Sequence, residues 1–430
     1  MKKISIGIIG LGTVGTGVVK ILRERAAFLE EKTGLRFSIR KICVQHPNRK
    51  REISLPEGLL TGDIRQILED PQIQIVLELM GGIHPAKEYL LEALQRGKHV
   101  VTANKALLAE AGKEIFSLAE KKKRRIQFEA SVGGGIPIIK SLREGLISNR
   151  IQAILGIING TSNFILTRMT ETGCEFHEAL REAQKKGYAE RNPSLDIDGI
   201  DSAHKLAILT LLGFGEEVPL EKIPVEGIRN ISPKDIQYAK ELGYIVKLLA
   251  IAKRSSEGLE VRVHPTLIPE EHPLASVRDA FNAITVRGDL VGETIFYGQG
   301  AGRYPTTSAV LADLLDVARR MDQENNTGLH LHYKGGSRRI KRMESLKTRY
   351  YFRFSVLDRP GVLSRISRLL GRHHISIASV IQKETHQRRS VPLIMLTHKV
   401  LERDVRRAIQ EIDQLNVIKA RSIFLRIEEV

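Results

Sequence analysis

The stretch Ile4-Ser5-Ile6-Gly7-Ile8-Ile9 runs into Gly10-Leu11-Gly12-Thr13-Val14-Gly15, after which Val14, Val18, Val19 and Leu22 recur at helical spacing. A GxGxxG turn carries little weight alone in a chain with 36 glycines. Between a predicted strand and a predicted helix, in a first βαβ unit, it reads as a dinucleotide-binding turn. Gly10 permits the tight bend, Gly12 lets the backbone approach a pyrophosphate, and Gly15 lets helix and strand pack closely. The helix that starts at Thr13 and Val14 then presents its positive end to the phosphates. An ordinary glycine-containing βα turn is the bland alternative.

Working outward, residues 37–44, 73–79, 99–102 and 126–130 read as further strands, with a helical pattern over 85–95. Strands alternating with helices predict a parallel, doubly wound sheet over residues 1–140. In such a domain an acidic residue ending the second strand holds a ribose 2′-hydroxyl. Here that strand ends Val44-Gln45-His46-Pro47-Asn48, followed by Arg49-Lys50-Arg51. No acid is present, and these cations, with Arg40 inside the strand, favour the 2′-phosphate of NADP. NAD stays open, as does a plain solvated basic loop.

Residues 141–325 mix signals: strands at 151–158 and 259–265, helices at 163–170, 176–186 and 307–320, and an apolar helix at 202–212 expected to stop at Gly213. They predict an α+β second domain whose last helix is free to pack back on the first. Residues 326–347 are polar with little periodicity and read as a linker. From 348 to 430 the pattern is strand 350–357, helix 361–372, strand 375–382, strand 391–398, helix 402–414 and strand 417–427, a ferredoxin-like βαββαβ order.

Composition narrows the function. The chain has 430 residues, 42% hydrophobic and 27% charged, enough for about three domains with real cores. Cys43 and Cys174 are far apart and form no CxxC pair, which argues against a disulfide framework or a cysteine zinc site. No cleavable leader pattern and no long apolar run is present, so a cytoplasmic protein without a membrane span is expected. The net charge of +17 is spread over short basic runs without interleaved aromatics, and tryptophan is absent. Nucleic acid is therefore not an expected partner, and no helix-turn-helix or other reader is visible. A solvated surface that favours anionic cofactors accounts for the charge.

Two lysines carry the candidate chemistry. Lys105, in Val101-Thr102-Ala103-Asn104-Lys105, follows a strand at the edge where doubly wound sheets bind ligands. Asp201 and Lys205, in Asp198-Gly199-Ile200-Asp201-Ser202-Ala203-His204-Lys205, share a helix face, with Asp201 in the first turn. A surface i,i+4 pair would be worth only about 0.3–0.5 kcal/mol. The apolar run after Lys205 predicts an enclosed lysine instead, able to exchange a proton near neutrality.

These stretches, with Glu129-Ala-Ser-Val-Gly-Gly-Gly-Ile-Pro137, Asn159-Gly-Thr-Ser-Asn-Phe164 and Phe296-Tyr-Gly-Gln-Gly-Ala-Gly302, together resemble the homoserine dehydrogenase family, in order over about residues 1–325. The tail, with Asp358-Arg-Pro-Gly-Val-Leu363 and Ile375-Ser-Ile377, resembles an ACT domain. The resemblance implies NAD(P)-dependent interconversion of L-homoserine and L-aspartate 4-semialdehyde, on the route to threonine, methionine and isoleucine. It implies Lys205 as proton donor and acceptor, and Lys105 as a second catalytic lysine that also touches the cofactor. It implies Glu190, Asp196 and Asp201 on the substrate, and Thr13, Val14, Gly187 and Gly302 beside the cofactor. A monovalent cation, usually Na+, is implied at Glu129, Val132, Gly134 and Ile136, mainly through backbone carbonyls; hard cations take oxygen ligands. From its residues alone, 132–135 reads as a flexible turn. The ACT resemblance implies an amino-acid effector, threonine by position in the route, and the family implies a dimer or tetramer. One departure stands out: Asn192-Pro193 replaces the family's frequent Asp-Pro, which leaves the local hydrogen bonding open.

Overall fold

The computed structural model describes residues 2–321, 340–382 and 390–429. Its backbone forms two compact units. The first takes the described residues within Met1–Ile154, Asp201–Lys222 and Phe281–Ser337; the second takes those within Leu155–Ile200, Ile223–Ala280 and Arg338–Val430. This interleaving differs from a sequential division at residues 140 and 325.

The first unit is built on a six-stranded sheet: β1 (Lys2–Ile9), β2 (Leu35–Cys43), β3 (Leu60–Thr61), β4 (Ile75–Glu78), β5 (His99–Thr102) and β6 (Ile126–Gln127). Their spatial order is β3-β2-β1-β4-β5-β6, and the pairs are parallel. That is the doubly wound order, with the order in which strands are added reversing between β1 and β4, where such sheets bind ligands. Central strands are buried on both faces, which is why 75–78 reads as a continuous run without alternation. The expected strand at 126–130 is shorter: after Gln127 the backbone turns into a 3-10 helix, Glu129–Ser131.

The helix Arg303–Arg320 belongs to this unit's core. Val310, Leu314 and Val317 are fully buried with Ile4, Ile6, Val18 and Val19. Its start abuts the helix Thr13–Glu24 so closely that a side chain at Gly17 would lie 2.3 Å from Thr307 Oγ1. The helix expected over 202–212 spans Ile200–Phe214 and runs through Gly213 rather than stopping there. The glycine serves packing: a Cβ at 213 would meet Ile154 Cδ1 at 2.8 Å.

In the second unit Tyr244–Ser255 pairs antiparallel with Gly258–Pro269, and Ile418–Ile427 joins the latter in parallel. Lys347–Val356, Val391–Thr397 and Ile377–Gln382 follow in sheet order. With the helices Val362–Arg372 and Glu402–Ile412 these give the expected βαββαβ order, around a core of Tyr350, Phe352, Phe354, Ile366, Leu370 and Ile412. The expected linker over 326–347 falls largely outside the described residues. Its described end is structured rather than loose: Ile340 bridges to Leu259, Lys341 pairs with Glu257 and Glu260, and Leu346 is buried. No described helix is long and apolar enough to cross a membrane.

Candidate functional site

At the β1 end the Gly-rich turn is set by contact. Gly10 has φ +96°, and a Cβ there would lie 2.7 Å from the Leu79 carbonyl carbon at the end of β4. A Cβ at Gly15 would lie 2.4 Å from the Gly10 carbonyl oxygen, so its smallness closes the turn on itself. Gly12 faces open space, with nothing within 4 Å of where a Cβ would sit. The helix Thr13–Glu24 begins next, with no side-chain cap and no acid in its first turn. Its positive end is thus left to a ligand.

The turn borders a groove of about 720 Å³ whose walls include Gly10, Gly12, Gln45, His46, Arg49 and Arg51. Arg51 donates through Nη2 to the His46 carbonyl at 2.7 Å, while its Nε is buried with no partner. Arg49 and Arg51 thus bring two guanidinium groups to the groove, and a guanidinium is a ready anion contact. Arg40 is placed elsewhere: its Nε donates to Asp70 Oδ2 at 2.7 Å, and it does not border the groove. Arg40 lies within β2, three residues before its end, while the groove lies at and beyond that end.

Lys105 opens the helix Lys105–Lys121, capped by Asn104, whose Oδ1 accepts from Leu107 N. Its ammonium lies 2.7 Å from Asp201 Oδ1, and Lys205 Nζ donates to Asp201 Oδ2 at 2.6 Å. Asp201 and Lys205 are 5% and 7% exposed, so this pair is enclosed rather than solvated. Burial pushes the Asp201 carboxyl up, but the Lys205 and Lys105 charges outweigh it and hold it well below the usual range. One carboxylate therefore offsets the repulsion between two ammonium groups. His204 beside them is half-buried, and burial lowers its pKa.

Glu190, Asp196 and Gly187 belong to the second unit. Asp196 accepts from Asn159 Nδ2 at 2.7 Å and from Thr161 Oγ1 at 3.2 Å, which fixes its orientation. Glu190 and Gly187 are exposed, the latter at φ +77°. Asn192 Oδ1 accepts from Ser194 N at the start of the short helix Ser194–Ile197. The amide thus fills a local acceptor role that a carboxylate would also fill.

Glu129 is buried, and its two oxygens accept from the backbone N–H groups of Ile139 and Lys140, each at 2.8 Å. Burial pushes its carboxyl up despite those bonds. The turn after it is held rather than flexible. Gly133 and Gly134 have positive φ, and a Cβ at 134 would lie 2.6 Å from the Gly300 carbonyl carbon. Val132 and Ile136 are buried, and the Ile136 carbonyl accepts from Ile138 N at 2.8 Å. Gly302, at φ +123°, caps the helix Arg303–Arg320. Among the described residues no three His, Cys, Asp or Glu side chains converge as a metal site, so a cation here would depend on carbonyl oxygens.

Sequence reasoning passed over Glu78. It ends a run of apolar residues in β4 and is fully buried. A lone carboxylate in such a run is the one signal that singles it out.

A family model described as "Homoserine dehydrogenase" matches residues 137–315, one described as "Homoserine dehydrogenase, NAD binding domain" matches 10–129, and an ACT domain matches 350–417. A homoserine dehydrogenase of Neisseria gonorrhoeae is 43% identical over 100% of both chains. One of Bacillus subtilis is 40% identical over 100% of this chain and 99% of its own. The crystal structure of a homoserine dehydrogenase from Thiobacillus denitrificans superposes with a TM-score of 0.93 and 45% identity, over 99% of this chain and 98% of that one. A hyperthermophilic archaeal homoserine dehydrogenase solved in complex with NADPH covers 74% of this chain and 98% of its own, at TM-score 0.64 and 28% identity.

Proposed function

The chain belongs to the homoserine dehydrogenase family, NAD(P)-dependent oxidoreductases acting on a CH–OH group, and on that premise we propose that Lys205 moves the proton and Lys105 assists it. The reaction is L-homoserine + NAD(P)+ ⇌ L-aspartate 4-semialdehyde + NAD(P)H + H+. Bound nicotinamide supplies the hydride acceptor. The chain's part is to hold the carbinol oxygen and, through Lys205 as the neutral amine, to take its proton as the C–H bond breaks; the Lys205 ammonium so formed returns the proton in the reverse direction. The observation that carries this reading is the buried Asp201, which fixes two ammonium groups within 2.7 Å of its oxygens. Glu190 and Asp196 bind the substrate ammonium. Thr13, Val14, Gly187 and Gly302 approach the cofactor.

NADP is the preferred dinucleotide on this reading, because the Arg49 and Arg51 side chains that border the groove suit a 2′-phosphate. Arg40, spent on Asp70, drops out of that role. Glu129 and the carbonyls of Val132, Gly134 and Ile136 would hold a Na+ ion. The buried carboxylate and oxygen-rich turn support it, since a cation offsets the cost of burying that charge. The ACT domain binds an amino acid, threonine in this assignment, in a cytoplasmic dimer or tetramer. The test is reduction of NADP+ and NAD+ with L-homoserine by the parent and by Lys205→Ala. Turnover lost in a variant that still binds NADPH supports the proton-transfer role. Full turnover in that variant moves the role to Lys105, and no turnover in the parent sinks the reading.

A further inference from the structure

Glu78 ends β4 in register with Ile9 of β1 and Thr102 of β5, at the carboxyl edge of the sheet. Its side chain is 0% exposed. Burying a carboxylate is costly, and an apolar residue would serve the strand's packing better. The carboxylate is held here by neutral donors instead. Oε1 accepts from Met80 N at 3.0 Å and Gly81 N at 3.2 Å, and Oε2 accepts from Thr102 Oγ1 at 2.6 Å.

Those donors lie in one loop, at Met80 and Gly81, and at the end of β5 where a second loop begins, at Thr102. The first, after β4, supplies Leu79 and Met80 to the dinucleotide groove and presses against Gly10. The second, after β5, leads into Lys105. Thr102 Oγ1, while donating to Glu78, accepts from Asn104 N at 3.0 Å. Asn104 Nδ2 donates back to the Gly82 carbonyl at 2.6 Å, and Asn104 Oδ1 caps the helix that Lys105 opens. The bonds close a ring through Glu78, Thr102, Asn104, Gly82 and Gly81. One carboxylate thus takes bonds from both sides, beside the direct Asn104–Gly82 bond between the loops.

We propose that Glu78 is a positioning residue for the dehydrogenase reaction, which fixes the helix start carrying Lys105 against the loop that walls the dinucleotide groove. It acts through Thr102 and Asn104, and it touches neither substrate nor the reacting atoms. The inference rests on Lys105 having the role given above.

The full-length enzyme is assayed as Glu78→Gln, Thr102→Val, Thr102→Ser and Lys105→Ala, and as Glu78→Gln in the Lys105→Ala background. Glutamine keeps an acceptor for Met80 and Gly81 but turns an amide donor toward Thr102, so the groove wall survives and the Lys105 side loosens. Misplacement of a catalytic group by about 1 Å costs up to a hundredfold. Glu78→Gln and Thr102→Val are therefore expected to lose about tenfold to a hundredfold in kcat, while NADPH dissociation constants, read by nicotinamide fluorescence, move by less than about threefold. Thr102→Ser, which keeps both hydroxyl bonds, restores kcat. In the Lys105→Ala background Glu78→Gln adds no further loss, because residues acting as one unit are not additive. If Glu78→Gln does not fold, the two Thr102 variants decide the question. Parent-like kcat in Thr102→Val with Lys105→Ala crippled overturns the role of Glu78 alone. So does a full additional loss in the double variant. Parent-like kcat in Lys105→Ala overturns the Lys105 reading and this inference with it.

Discussion

Replacing Asp201 by asparagine tests the central ion cluster most directly. The carboxylate is buried and holds Lys205, whose side chain is 9% exposed, and Lys105, whose side chain is 42% exposed. The Lys105 contact is screened by solvent and contributes at most about 1 kcal/mol. The Lys205 contact is enclosed, and removing one partner of such a pair costs about 3–5 kcal/mol. The asparagine oxygen still accepts one hydrogen bond, which returns about 1 kcal/mol. A net loss of about 2–5 kcal/mol is expected, seen as a fall in Tm of roughly 4–20 °C for a unit of this size.

The pH dependence fixes the sign. Asp201 is held below its ordinary value of 3.8, so its contribution is fully present above that pH and fades as pH falls through the folded value. The gap between parent and Asp201→Asn should therefore be full near neutrality and narrow below about pH 4. Thermal melts and urea midpoints at matched slopes read it out. Adding Lys205→Met to Asp201→Asn should recover most of the loss, because the uncompensated buried charge is gone. A loss under about 1 kcal/mol at neutral pH, or a gap unchanged in acid, would refute the argument that a buried carboxylate holds this cluster together.

Gly15→Ala places a Cβ 2.4 Å from the Gly10 carbonyl, so NADPH binding should weaken by more than about tenfold with a lowered Tm. Gly12→Ala, open on that side, should melt like the parent and lose binding alone; fluorescence titration and melts separate the two. Arg49→Ser with Arg51→Ser should raise KM for NADP+ by about tenfold and leave NAD+ nearly unchanged, whereas Arg40→Ser should not alter the ratio. Asp235 is fully buried and accepts from Arg353 at 2.6 and 3.0 Å, so Asp235→Asn should cost about 3–5 kcal/mol in urea unfolding.

What the sequence determined is what local spacing encodes. The GxGxxG turn between a strand and a helix, the period-2 and period-3.6 runs of the tail, and the four-residue interval from Asp201 to Lys205 depend on neighbours in the chain. Each of those features is present in the folded chain, because backbone geometry imposes the same period wherever the element ends up. The family motifs likewise pointed to Lys105, Lys205 and Glu129. Tertiary structure decided the rest. That one carboxylate oxygen faces each lysine requires two distant helices to start side by side. That Arg40 serves Asp70 while Arg51 borders the groove follows from which way each side chain leaves its strand or loop. Gly213 read as a helix stop because glycine is a poor helix former. Only the approach of Ile154 shows that the site needs its missing side chain. Glu78 passed unnoticed because a single carboxylate has no period. Its meaning lies in donors from the loop after β4 and from the end of β5, which meet only when β4 and β5 pair.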